Sequence, residues 1–403
     1  MQDAIHPTDA DDYDLFAPDY VRDPATSWRH FRDTCPVPQS SLYGGSVMPV
    51  RYADVVTVAK DIETFTSSLG VSIVQGTPTK ELIKEGSPPI DADPPMHTWT
   101  RRLLLPAMSP KAVTAHEPFV RDLCRRLIDG FIAEGRADAA VDYAQQIPVR
   151  VIAALMGIAQ DSSDRFIAWV RSILEFAHDV EGRKQALLEV RGFLEQELAD
   201  RRSDPGDDLL SHLLAAGEED ERVSEELILG EAILTLVAGV DTTWSAIGSA
   251  MYHFASHPSD RRRLAREPDL LATALEEILR FYSPVTMSRT ATNDTVVGDC
   301  PVRAGDRVLV SFPAANRDEE AFAEADTFVI DRAANRHLAF GVGIHRCAGS
   351  NLARMELRVA IEEWMAAIPE FELTDATAVT WAGGQVRGPR SIPVTFPPGG
   401  DAS

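Results

Sequence analysis

The feature that most restricts what this chain can become is a helical pattern running unbroken from Ser224 to about Ser256. Ser224 is a good N-cap, and Glu225 and Glu226 stand in the first turn, where the helix dipole favours acids. His257-Pro258 ends the run, because the residue before a proline is pushed out of the α region. Roughly 33 residues at ~1.5 Å each make a rod of about 50 Å, long enough to cross a whole globular unit. Its middle, TLVAGVDTTW, is mostly apolar. The pattern therefore predicts a buried spine around which the rest must pack. The longest apolar stretch inside it, Leu227 to Val240, is interrupted by Glu231 and falls short of the ~20 residues that cross a bilayer.

Shorter helical periods surround the spine. Val120 to Ala133, Pro148 to Leu155, Arg165 to Ala177, Gln185 to Ala199, Leu271 to Phe281 and Asn351 to Ala367 carry apolar residues at three- and four-residue spacing. Asp204 to Asp208 reads as a turn and Gly217 to Arg222 as a charged loop. Strand signals are few: Ser46 to Tyr52, Val296 to Val302, Arg307 to Phe312, Thr377 to Trp381 and Ser391 to Phe396. Strands from both ends are expected to meet in one small sheet. Residues 1–403 then form one mainly α domain with a small β-region.

With 39 basic against 62 acidic residues the chain carries a net charge of −23, which argues against general binding to nucleic acid or anionic lipid. Cys35, Cys124, Cys300 and Cys347 are widely spaced, without a CxxC, so neither a disulfide framework nor a zinc ribbon is expected. The acidic start, MQDAIHPTDADDYDLFAPDY, lacks the basic and apolar parts of a signal peptide. A cytoplasmic protein with no membrane span is the expectation.

Chemistry concentrates in Phe340 to Gly349, FGVGIHRCAG, just ahead of the helical pattern at Asn351. A cysteine at a helix N-terminus meets free N–H groups that stabilise its thiolate, and glycines there let a large flat group approach the backbone. Taken alone, Cys347 could equally be a small buried hydrophobe. A His345-x-Cys347 zinc pair lacks a second pair nearby.

The ten-residue pattern resembles the haem-binding loop of cytochromes P450, with Phe340, Gly341, Gly343, His345, Cys347 and Gly349 all present. The resemblance continues through Leu352-Ala353-Arg354-Met355-Glu356 and implies that Cys347 is the thiolate ligand of iron in haem b (iron protoporphyrin IX). It implies the family's triangular prism, mainly α with a small β-region. It also implies the soluble bacterial branch, a monomer fed by an iron–sulfur ferredoxin and its reductase.

Three further segments gain meaning from the resemblance. Ala238 to Thr243, AGVDTT, could be a capped break between two shorter helices, since Gly is a poor mid-helix residue and Thr can open the backbone ladder. The family resemblance instead makes it the oxygen-activating groove, with Thr242 and Asp241 handling protons. Glu277 and Arg280 form an ExxR pair whose implied role is structural, tied to Arg332 or Asn335. Glu219 and Arg222 match the same pattern in a charged loop, which shows how weak ExxR is alone. His97 and Arg101 share a helical face in DADPPMHTWTRRLL, a segment that could be a capped surface helix. By resemblance they meet the haem propionates together with Arg289 and His345.

The implied activity is insertion of one atom of dioxygen into a small, largely apolar substrate, by hydroxylation or oxidative demethylation, with electrons from NAD(P)H. A peroxide-driven relative and a non-catalytic haem sensor or electron carrier are the alternatives, and neither has a use for both Asp241 and Thr242. By position in the family the substrate pocket takes Leu69, Val71, Ile73 and Val74. It also takes Leu234, Val237 and Ala238 from the long helix, then Val285, Thr286, Gln385 and Val386. No arginine stands among Ser67, Ser68 and Leu69, so a neutral aromatic or terpenoid-like molecule is expected. Residues 97–126 hold six basic residues against Glu117 and Asp122, and residues 336–358 hold four against Glu356. This predicts a basic docking patch for the ferredoxin on the cysteine side.

Overall fold

The long run folds as the sequence demands. In the computed structural model, which describes residues 12–75 and 82–398, one unbroken α-helix spans Glu225–Ser256. The acidic segment before Asp12 lies outside the described residues. Ser224 Oγ accepts from the Leu227 amide at 3.1 Å, capping the helix as expected. The helices Gln146–Leu155, Val180–Ser203 and Ser350–Ala367 pack around this spine.

Two expectations about the spine need correcting. It is long and apolar enough to cross a membrane, but 72% of that stretch is buried within the protein. Glu231 does not shorten it. The carboxyl is fully buried without a partner, and burial pushes its pKa up to about 9, so it sits there as the neutral acid. Nor does AGVDTT break the helix. Gly239 is there for contact, because a Cβ would come within 2.4 Å of Ile152 Cδ1 on the Gln146–Leu155 helix.

The other helices are longer than their periodic cores. The helix holding Val120 to Asp129 begins at Pro110 but stops at Asp129, short of the expected Ala133; Gln185 to Ala199 lies within Val180–Ser203, and Leu271–Phe281 matches at both ends. Gly217 to Glu219 closes the Leu209–Glu219 helix rather than opening a loop. Arg165 to Ala177 divides into an α-helix, Ser163–Val170, and a wider π turn, Arg171–Glu175.

The β-structure departs most from expectation. A five-stranded sheet runs in the order Gln39–Ser40, Ser46–Val47, Arg307–Ser311, Thr286–Ala291, Phe65–Thr66, with only the Ser46–Val47/Arg307–Ser311 pairing parallel. Thr286–Ala291, a central strand, carries no strand signal. The C-terminal strands do not join this sheet. Pro393–Thr395 lies between Arg136–Asp138 and Glu372–Leu373, while Gly388–Ser391 pairs with Thr380–Ala382. Strands from the two ends thus lie in separate sheets.

Candidate functional site

The cysteine loop is shaped by its glycines and clamped from behind. Gly341 and Gly343 have φ of +68° and +78°, where a side chain would be strained. The Cys347 amide donates to the Phe340 carbonyl at 2.8 Å, closing the loop ahead of the Ser350–Ala367 helix. The Arg354 guanidinium lies 4.3 Å from the centre of the Phe340 ring and is held by Glu276 at 2.6 Å. Glu276 also pairs with His337 at 2.8 Å. Burial opposes its ionisation, yet Arg354 and His337 hold its pKa down at about 2. Cys347 keeps accessible surface. Enclosure among protein atoms raises its thiol pKa, while the Gly349 amide, Arg101, Arg346 and Arg354 pull it down.

The neighbouring Glu277 anchors the segment leading into that loop. Glu277 and Arg280 are both wholly buried and form two 2.8 Å hydrogen bonds. Arg280 also donates to the carbonyls of Asn316, Ala325 and Thr327. Glu277 accepts from the Val329 amide and from both Arg332 and Asn335. The other ExxR match makes no such pair: Arg222 bonds Asp220, not Glu219.

Beside the loop, His97, Arg101, Arg289 and His345 come together. The rings of His97 and His345 stand 4.6 Å apart, and His345 Nε2 lies 3.0 Å from Ser67 Oγ. Arg101 reaches the Arg346 carbonyl at 2.5 Å, and buried Arg289 spends one N–H on the Ser288 carbonyl. Neither ring nitrogen of His97 makes a hydrogen bond of good geometry. Burial, with Arg289, His97 and Arg101 adding to it, drives the His345 pKa down to about 3. Burial and Arg101 lower that of His97 as well. Two guanidiniums and two neutral imidazoles converge here without an ion pair to any carboxylate among the described residues. A dicarboxylate fits such a set, and a thiol at a helix N-terminus fits a thiophilic iron. The residues present suit haem.

The buried spine opens on one face. Between Leu227 and Met251 only Leu234, Val237, Ala238, Gly239 and Thr242 are not buried. Leu234, Ala238 and Thr242 follow at four-residue steps, so the accessible surface is one stripe. Thr242 Oγ1 donates to the Ala238 carbonyl at 2.9 Å. Asp241, one position round, is almost wholly buried. Its Oδ1 takes a 2.7 Å bond from Arg390, while Oδ2 has no partner. Arg390 also bonds Glu175 at 3.0 Å and Ser245 at 3.2 Å. Burial raises the Asp241 pKa and Arg390 opposes it, leaving about 6.

Of the pocket residues expected from sequence, Leu69 is 71% exposed and Val71 partly so. Ile73 and Val74 instead pack into an apolar cluster with Tyr13, Trp28, Met48 and Leu309. Val285 and Val386 bridge, and the Thr286 amide donates to the Gln385 carbonyl at 3.0 Å, so these four meet at one corner. Sequence reasoning missed Arg390 and Glu175, the partners of the Asp241 network. It also overcounted free charge. Arg121, Arg125 and Arg358 are ion-paired with Glu117, Glu362 and Glu363, Arg126 with Asp122, and Arg354 with Glu276.

Comparison with known proteins agrees with this geometry. The family model described as Cytochrome P450 matches residues 162–373. A vitamin D(3) 25-hydroxylase of Pseudonocardia autotrophica is 34% identical over 98% of this chain and 99% of its own. A mycinamicin IV hydroxylase/epoxidase of Micromonospora griseorubida is 34% identical over 86% of this chain and 88% of its own. Among solved structures, a Bacillus megaterium protein in complex with testosterone superposes with a TM-score of 0.87 at 28% identity, covering 94% of this chain and 99% of that one.

Proposed function

The chain belongs to the cytochrome P450 family of haem b monooxygenases, and from that premise we propose how its own residues bind, orient and supply protons. Bound through the Cys347 thiolate, the haem supplies activation of dioxygen for insertion into a C–H bond. Arg101 and Arg289, with His97 and His345, hold its propionates. Phe340, Gly341 and Gly349 shape the cysteine loop, Ala238 borders the haem from the spine, and Glu277 with Arg280 braces the approach to the loop.

The observation that carries the monooxygenase reading over a peroxide-driven one is the Asp241–Thr242 pair at the open face of a buried helix. Thr242 offers a hydroxyl on the accessible stripe. Asp241, with one oxygen free, passes protons toward it while Arg390 holds its other oxygen and Glu175 together. A peroxygenase or an electron carrier needs no such relay.

The substrate is a largely apolar aromatic or terpenoid-like molecule lying against Leu234, Val237 and Ala238. Leu69 and Val71 close one side of it, and the corner of Val285, Thr286, Gln385 and Val386 another. Ile73 and Val74 support that wall from behind. Residues 1–403 act as one cytoplasmic, monomeric domain that takes NAD(P)H electrons from a ferredoxin and its reductase. The docking patch is placed at Arg102, Lys111 and Arg346, which with Arg336 are the exposed cations of the two segments that have no ion pair among the described residues. Arg102 follows Arg101, whose guanidinium reaches the Arg346 carbonyl, and Met108, three residues before Lys111, lies beside Gly349.

The test is NADH-driven turnover of a panel of such compounds with surrogate ferredoxin and reductase. Product formation that tracks NADH and dioxygen uptake is expected. Product formed only with added hydrogen peroxide would favour the peroxygenase.

A further inference from the structure

Arg183 is the first buried residue of the Val180–Ser203 helix, at the head of a row continued by Ala186, Leu187, Val190 and Leu194. A guanidinium in an apolar row is unusual, and this one is only 6% exposed. Its Nη1 donates to Ser72 Oγ at 3.0 Å, while Nε is buried with no partner. No carboxylate among the described residues pairs with it, and desolvation lowers its pKa to about 10. A buried charge without a counter-ion is costly, and the cost is relieved only when an anion arrives.

Its surroundings are those of the proposed pocket. Ser72 lies on the loop whose Ser67 meets His345, and the Val71 carbonyl accepts from the Ser288 amide next to Arg289. Glu175, eight residues before Arg183, reaches Arg390 and through it Asp241. The Phe16 ring stands 5.1 Å from His178 and packs over Gly384, the neighbour of Gln385. The 67–74 loop thus meets this guanidinium at Ser72, and the 175–183 segment that carries it is tied to the 384–390 turn through Glu175 and His178.

We propose that Arg183 anchors an anionic terminus, a carboxylate or a phosphate monoester, on an otherwise apolar substrate. This rests on the apolar pocket proposed above and replaces the neutral molecule expected from sequence. The cation missing from Ser67, Ser68 and Leu69 arrives from the facing helix. A guanidinium fork matches both anions, and a fixed terminus decides which carbon is presented for oxidation.

The test is titration of the holoenzyme, read by the substrate-induced spin-state shift of the haem. Two pairs of probes are used: 4-butylbenzoate against its methyl ester, and geranyl phosphate against geraniol. In the wild type the anion of at least one pair is expected to bind about tenfold tighter or more. The pair that responds identifies the carboxylate or the phosphate. Arg183→Gln should abolish that preference and change neutral-probe affinity less than about threefold, while Arg183→Lys restores part of it. Equal affinity for both members of each pair in the wild type would overturn the proposal without need of a variant. So would an anion preference that survives in Arg183→Gln. Loss of the thiolate-type reduced-CO band in this same holoenzyme would instead strike at the haem-thiolate reading, so the two failures are distinct.

Discussion

At Asp241 opposing forces nearly balance. Burial favours the neutral acid and so does Glu175, while Arg390 and the more distant Arg171 favour the carboxylate, and the result is a pKa of about 6. The folded value lies above the ordinary 3.8, so the ionised form is penalised at pH above about 6. That penalty, at most about 3 kcal/mol, fades as the pH falls toward 3.8. It also leaves the group able to exchange protons near neutral pH. Turnover against pH should show an acid limb near pH 6 that Asp241→Asn lacks, with the variant slower throughout; a wild-type profile flat across that range would contradict the relay. Thr242→Ala should still bind substrate and accept electrons, yet divert them to hydrogen peroxide, measured as peroxide formed per NADH. Unchanged coupling would remove Thr242 from the proton path. Cys347, Asp241 and Thr242 were legible because each sits in a short local pattern. Arg390 was not, since it lies 149 positions from Asp241, just ahead of the Ser391 to Phe396 strand signal and in no pattern of its own.

Among elements, the Leu271–Phe281 helix braces the approach to the cysteine loop. One turn of it, Glu276 to Arg280, holds Arg354, His337, Arg332 and Asn335 at once. Glu277→Ala leaves Arg280 as a buried charge without its partner and should cost about 3–5 kcal/mol, measured by urea denaturation of the holoenzyme. Glu219→Ala, at the look-alike pair, should stay within about 0.5 kcal/mol. Comparable losses at both sites would mean that the buried network is not what distinguishes them. Helices were legible because their apolar period is internal to each segment, and Leu271–Phe281 was read to the residue. The five strand signals each fell on a strand, but the other strands and the pairing were not legible, because strands here run two to six residues and take their meaning from distant partners. Thr286–Ala291 is buried on both faces and carries Ser288 and Arg289, so it shows no alternation to find.

For the whole molecule, the proposed docking of a redox partner rests on few unpaired cations around the cysteine loop of a chain with a net charge of −23. Charge reversal at Arg102, Lys111 or Arg346 should raise the apparent KM for ferredoxin several-fold, with a steeper effect at low ionic strength. Reversal at Arg125, already neutralised by Glu363, should change it less than about twofold. Reduction rates insensitive to salt and to all four changes would place docking elsewhere. The larger claim is that the entire fold, from the buried spine to the clamped loop, serves to present one thiolate to haem iron. The reduced-CO difference spectrum tests this most directly. The wild-type holoenzyme should show the red-shifted band of thiolate ligation, and Cys347→Ser should lose it while keeping its helical circular dichroism, because a serine hydroxyl cannot act as a soft thiolate donor. An unchanged band in Cys347→Ser would contradict the account.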